Sequence, residues 1–169
     1  MSQSALPNPF LGGAAFVMPA TWQGVMKQVL HLAEFSGGLQ VIDGARGAGK
    51  TVFCRGLAEG RGVDPREVSS PSFVYLQSYE GDSGPFHHAD LYRLGSMDDA
   101  AIEEAIDATG LQHVLGAAGL AAVEWWEFYR GPLPQKLVTV EIAVENPDYR
   151  SIELKFAGQG LQRALDAVS

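Results

Sequence analysis

The sequence predicts an α/β fold built on a mixed, partly antiparallel central sheet. Three observations predict it. A short apolar run, Leu39-Gln40-Val41-Ile42-Asp43, passes through a glycine-rich loop into a helical pattern, giving a strand–loop–helix unit. A second short run, Leu120-Ala121-Ala122-Val123, ends on Glu124 and has the length and composition of a buried central strand. Two pairs of segments joined by tight turns supply β-hairpins, which a purely parallel sheet lacks.

In chain order, residues 1–19 read as a flexible lead-in, because Pro7, Pro9 and Pro19 oppose regular structure. Residues 20–169 then form a single domain. Thr21 is a good helix N-cap, and Trp22, Val25, Met26, Val29, Leu30 and Ala33 follow helical spacing behind it. Ser36-Gly37-Gly38 ends that helix. After the strand and loop, Thr51 to Glu59 places Phe53 and Leu57 on one helical face, and Gly60 and Gly62 stop it. Phe73 to Tyr79 alternates, Glu80 to Gly84 turns, and Pro85 to Leu91 returns as a strand. Ser96 with Asp99 resembles a capping box before Ile102, Ala105 and Ile106, and Thr109-Gly110 closes this helix. Lys136 to Val144 and a strand carrying Ile152, Leu154 and Phe156 flank the turn Asn146-Pro147-Asp148. Leu161, Ala164, Leu165 and Val168 predict a short terminal helix.

Bulk properties bound the function. A composition of 46% hydrophobic and 19% charged residues is that of a folded globule. The net charge of −8 argues against direct binding of DNA or RNA, which is driven by Lys and Arg. It leaves room for an RNA pathway in which a basic partner holds the RNA. The single cysteine, Cys54, suits a reducing cytoplasm and is expected to pack in a helix rather than react. Pro9 to Ala20 is apolar, but no Lys or Arg precedes Lys27, so a signal peptide is not expected. No run of about twenty apolar residues predicts a membrane span.

The loop itself carries chemistry. Gly44-Ala45-Arg46-Gly47-Ala48-Gly49-Lys50-Thr51 fits the phosphate-binding pattern G-x-x-x-x-G-K-[ST] at every fixed position. Glycines let backbone N–H groups wrap a diphosphate. Lys50 reaches the terminal phosphates, the Thr51 hydroxyl is placed for Mg²⁺, and the helix aims its positive end at the anion. The motif joins a strand to a helix, as it must. The fold is therefore expected to be P-loop NTPase-like, in three layers.

Hydrolysis needs further groups: an acid for the metal, a group that positions water and a sensor of the terminal phosphate. Glu124, at the end of an apolar strand, is the first candidate. Asp90 is the second, within His87-His88-Ala89-Asp90-Leu91-Tyr92-Arg93, where strand alternation puts His88, Asp90 and Tyr92 on one face. A structural hydrogen-bond network is the plainer reading of that cluster. A zinc site there needs more ligands at matching spacing, and the sequence shows none. Ser69-Ser70-Pro71-Ser72-Phe73 is the third candidate, a segment able to close over a nucleotide, although Ser-Pro is also a common turn.

Together these elements resemble the TsaE (YjeE) family. The matching order is Gly44–Thr51, Arg55-Gly56-Leu57-Ala58, Val68-Ser69-Ser70-Pro71-Ser72-Phe73, His88-Ala89-Asp90-Leu91-Tyr92-Arg93-Leu94, then Glu124-Trp125 with Glu127. It covers about residues 21–156. The resemblance implies a cytoplasmic, Mg²⁺-dependent ATPase, with ATP and Mg²⁺ as cofactors. It would support homologues of TsaB and TsaD in threonylcarbamoylation of adenosine 37 of tRNA, meeting tRNA only through that complex. By the same resemblance, residues Gly44, Ala45, Arg46, Gly47, Ala48, Gly49, Lys50 and Thr51 bind the nucleotide, and Trp125 lies near it. Lys50, Asp90 and Glu124 are catalytic, Ser72 is the switch hydroxyl, and Thr51, Glu124 and Ser72 serve the metal.

Three departures accompany the resemblance. The family pattern G-D-L-G-A-G-K-T has Ala45 and Arg46 here in place of Asp and Leu. The switch threonine is Ser72, which loses the stiffness of a β-branched side chain. The family's E-W-P-E is Glu124-Trp125-Trp126-Glu127, without the proline. Two other functions fit the same loop. One is a small-molecule kinase, for which Arg93 would be the lid arginine. The other is a nucleotide-gated binding subunit with weak hydrolysis. No guanine-reading N-K-x-D or T-K-x-D motif supports a GTPase.

Overall fold

The computed structural model describes residues 10–19, 39–115, 117, 119–132, 137–147 and 149–157. The strands are β1 (Phe10–Pro19), β2 (Leu39–Gly44), β3 (Leu76–Gly81), β4 (Gly84–Asp90), β5 (Leu120–Glu124), β6 (Leu137–Asn146) and β7 (Tyr149–Ala157). Among the described residues the α-helices are α1 (Lys50–Gly60), α2 (Asp99–Thr109) and α3 (Leu111–Leu115). Single 3₁₀ turns cover Tyr92–Ser96 and Trp126–Phe128.

The strands form one sheet in the order β1-β7-β6-β2-β5-β4-β3. β6, β2, β5 and β4 run parallel, and β1, β7 and β3 add antiparallel margins. The mixed α/β sheet expected from the sequence is thus observed. Among the described residues, buried side chains fall into two clusters. Phe53, Cys54 and Leu57 of α1 pack with Phe86, Leu120, Ala122, Val138 and Val140. Ile102 and Ile106 of α2 and Leu111 of α3 pack with Ala89, Ala121 and Val123. Along β5, residues 120 and 122 therefore serve one face and 121 and 123 the other, as pleating dictates. All five β5 residues are buried, which explains its continuous apolar run.

Several boundaries differ from expectation. Phe10–Pro19 is no lead-in but the edge strand β1, paired antiparallel with β7 up to Pro19 opposite Tyr149. Pro19 is compatible with this because it ends an edge strand, where a missing N–H removes little from the ladder. The first hairpin begins at Leu76 rather than Phe73. Pro71 O accepts from Val74 N and Tyr75 N, folding this stretch into a turn, and Tyr75 takes φ 63°. Strand β4 ends at Asp90, so Tyr92 belongs to a 3₁₀ turn rather than to the strand face. Helix α2 is capped by Asp98, whose side chain accepts from Ala101 N at 2.9 Å, while Ser96 Oγ bonds Arg93 O instead. Gly110 closes α2 with φ 72°. The helices expected after Thr21 and at Leu161–Val168 lie outside the described residues. No helix of the described residues is long and apolar enough to cross a membrane.

Candidate functional site

Three parallel strands deliver the site at their carboxyl ends, where ligands bind in open α/β sheets. β2 ends at Gly44 and opens the loop. β4 ends at Asp90 and β5 at Glu124, and these two acids are paired in register. Both share strand parity with residues packed under α1, Phe86 on β4 and Leu120 and Ala122 on β5. Both acids are buried, at 4% and 3% exposure.

The loop is shaped by glycine. Gly44 has φ 144°, and a Cβ there would sit 2.5 Å from Ile142 O. Gly47 has φ 80° in open space, so conformation rather than crowding selects glycine there. Arg150 of β7 braces the loop by donating Nε–H to Ala48 O at 3.1 Å. Helix α1 starts after Gly49 with no side-chain cap and no acid in its first turn. Its orphan N–H groups and positive end are left for an external anion.

Lys50 Nζ donates to Gly44 O at 2.6 Å and Ala45 O at 3.1 Å. It also stands 3.9 Å from the centre of the Trp125 ring. Trp125 has φ 60°, an unusual conformation for so bulky a residue. It is held by stacking on Phe128 and a tilted contact with Tyr92. The Arg46 guanidinium lies 5.4 Å over the Tyr92 ring.

Glu124 Oε1 is the meeting point of the site. It accepts from Thr51 Oγ1 at 3.1 Å and lies 2.8 Å from His88 Nε2 and 3.8 Å from Cys54 Sγ. An ionised carboxylate only accepts, so His88 bears its hydrogen on Nε2 toward it. Cys54 is fully buried, as expected, but it is more than filler. Burial pushes its thiol pKa well up, and the Glu124 carboxylate raises it further. Asp90 has separate partners. Its Oδ2 accepts from Ser70 Oγ, and its Oδ1 accepts from Tyr92 N at 3.0 Å.

These groups line a cavity of about 450 Å³ whose wall includes Arg46, Gly47, Gly49, Lys50, Thr51, Val52, Ser70, Ser72, Asp90, Tyr92, Glu124 and Trp125. Its size suits a small-molecule ligand. Of the nucleotide, metal and catalytic residues expected from the sequence, Gly44, Ala45 and Ala48 do not line this wall and the others do; His88 and Arg93 do not line it either. Ser70 and Ser72 both reach it, but Ser70 makes the bond to Asp90. Residue spacing could not choose between two serines flanking one proline. Tyr92 arrives through its 3₁₀ turn rather than by strand alternation. Thr51, Ser70, Ser72, Asp90 and Glu124 supply the oxygen ligands that a hard cation requires.

A family model described as "Threonylcarbamoyl adenosine biosynthesis protein TsaE" matches residues 20–152. The chain belongs to the TsaE family. It is 30% identical over 153 residues to the tRNA threonylcarbamoyladenosine biosynthesis protein TsaE of Bacillus subtilis, covering 90% of each chain. It is 34% identical over 125 residues to the TsaE of Treponema pallidum, covering 74% of this chain and 84% of that one. The crystal structure of Bacillus subtilis YdiB shares the fold, with a TM-score of 0.61, 22% identity, and coverage of 92% and 95%. The TsaE match spans the loop, the Ser-Pro-Ser segment, Asp90 and Glu124, so all the cavity acids lie within it.

Proposed function

We propose that the chain is a cytoplasmic, Mg²⁺-dependent ATPase that supports TsaB and TsaD homologues in threonylcarbamoylation of adenosine 37 of tRNA. One observation carries the ATPase reading. The phosphate-loop hydroxyl of Thr51 and the strand-end acid Glu124 are hydrogen-bonded at 3.1 Å beside a second buried acid, Asp90. This is the pairing that metal-assisted phosphoryl chemistry needs.

The loop N–H groups and Lys50 hold the β- and γ-phosphates, with Lys50 exchanging its Gly44 and Ala45 carbonyls for phosphate oxygens. Thr51 and Glu124 would hold Mg²⁺, with Ser72 of the cavity wall as a further oxygen ligand. The cation, when bound, neutralises charge on the phosphates. Asp90 orients the attacking water, and Ser70 and the Tyr92 amide fix its carboxylate. Trp125 and Tyr92 give an apolar wall against which a nucleotide packs.

Arg93 favours this reading over a kinase. It does not line the cavity; its guanidinium lies 3.9 Å over the Phe73 ring, beside a neighbouring hollow. A nucleotide-gated subunit with weak hydrolysis keeps the same binding groups and differs only in rate. Single-turnover hydrolysis of ATP, with and without the partner complex and tRNA, separates the three. Hydrolysis that appears or accelerates with the partners is the expected result. Efficient phosphate transfer to a metabolite without effect on tRNA modification would overturn it.

A further inference from the structure

We propose that Cys54, His88 and Glu124 form a binding site for a thiophilic divalent cation of the zinc class, buried behind the cavity wall at Glu124. One potential ligand atom from each lies within 4.8 Å of the others. They come from α1, β4 and β5, so no local spacing in the sequence reveals them. Thiolate, imidazole and carboxylate are the three protein ligand types of zinc. Three protein ligands with an open fourth position make a reactive rather than a closed structural site. Of the three, Glu124 reaches the cavity wall, where it bonds Thr51, while Cys54 and His88 lie buried behind it.

The distances fit. Bonds of about 2.0–2.3 Å in a tetrahedron place ligand atoms roughly 3.3–3.8 Å apart. Cys54 Sγ is already 3.8 Å from Glu124 Oε1, and His88 Nε2, at 2.8 Å, needs only a small opening.

His88 is fully buried with its Nε2 turned into the cluster, 2.8 Å from Glu124 Oε1, and its Nδ1 has no hydrogen-bond partner, so the ring has a nitrogen able to carry the hydrogen when Nε2 takes a metal.

Binding breaks the Cys54 S–H bond, passes that proton to solvent and forms a sulfur–metal bond, while the His88 hydrogen moves from Nε2 to Nδ1 and frees the Nε2 lone pair for the metal. Glu124 gives up its contacts with His88 and Thr51 for the metal, and nothing is oxidised or reduced. Mg²⁺ does not use this site, because it takes oxygen ligands and ignores sulfur. The two ions compete for Glu124, so the soft cation and Mg²⁺–nucleotide exclude one another.

The test uses the full chain without nucleotide and reads metal alone, so its outcome is separate from that of the ATPase reading. Co²⁺ stands in for Zn²⁺ as a spectroscopic probe. One equivalent is expected to give visible bands of four-coordinate Co²⁺ and a near-ultraviolet thiolate charge-transfer band, both lost on adding Zn²⁺. Cys54→Ser is expected to remove the charge-transfer band and weaken Zn²⁺ binding at least about tenfold against a chelating dye. His88→Asn is expected to weaken it similarly. Circular dichroism and thermal unfolding without metal establish that each variant folds. A wild-type Co²⁺ spectrum lacking the thiolate band overturns the proposal. So does equal Zn²⁺ affinity in wild type and a folded Cys54→Ser. Should Cys54→Ser fail to fold, the wild-type spectrum and His88→Asn decide the question.

Discussion

At the scale of single residues, the site separates two carboxylates by their partners. Glu124 is held by Thr51 and His88 from inside the fold, whereas Asp90 is held by Ser70 and a turn amide. Glu124→Gln and Asp90→Asn are therefore expected to lower single-turnover hydrolysis by at least about tenfold while nucleotide affinity stays within a few-fold. Unchanged turnover in either variant makes that acid structural. Lys50→Ala is expected to weaken nucleotide binding or abolish hydrolysis, as measured by equilibrium binding and turnover. Away from the site, Arg66 bonds Asp64 through Nε and through its own amide, and these bonds hold the carboxyl pKa down to about 2. A depressed folded-state pKa gives stability that is present above the ordinary carboxyl range. That stability is lost as pH falls from about 4 to about 2. The pair is exposed, so its share is small. An NMR titration should place the Asp64 midpoint near 2, and Arg66→Ala should return it toward the ordinary value.

At the scale of elements, α1 does two jobs. Its first turn faces the cavity, and its Phe53, Cys54 and Leu57 are fully buried against the sheet. Loss of that packing moves the loop, because the loop and the helix share Gly49 and Lys50. Phe53→Ala is expected to cost about 3–5 kcal/mol in denaturant unfolding, enough to threaten a domain of ordinary stability. Asp98→Ala removes only the α2 N-cap and should cost about 1 kcal/mol with hydrolysis unchanged, since Asp98 lies away from the cavity. A large loss of turnover in Asp98→Ala would mean that α2 is coupled to the site.

At the scale of the whole molecule, four parallel strands set the chemistry and antiparallel strands finish the margins. β1 covers the edge of β7, whose unpaired N–H and C=O groups would otherwise template association. Removing residues 1–19 is expected to lower the thermal midpoint and to raise the apparent mass in size-exclusion chromatography. A monomer of unchanged stability would mean that β1 contributes nothing to the sheet in solution.

The sequence by itself determined the phosphate loop, the strand before it, the helix after it, and the candidacy of Asp90 and Glu124. These are local signals: a fixed spacing of glycines, Lys and Thr, and an acid closing an apolar run. Only the tertiary structure brought β4 beside β5, so that Asp90 and Glu124 became neighbours in register. It also chose Ser70 as the partner of Asp90, drew Phe10–Pro19 into the sheet, and set Cys54 and His88 against one carboxylate. Those outcomes depend on strand order and on contacts between residues tens of positions apart. Periodicity and motif spacing carry no record of either.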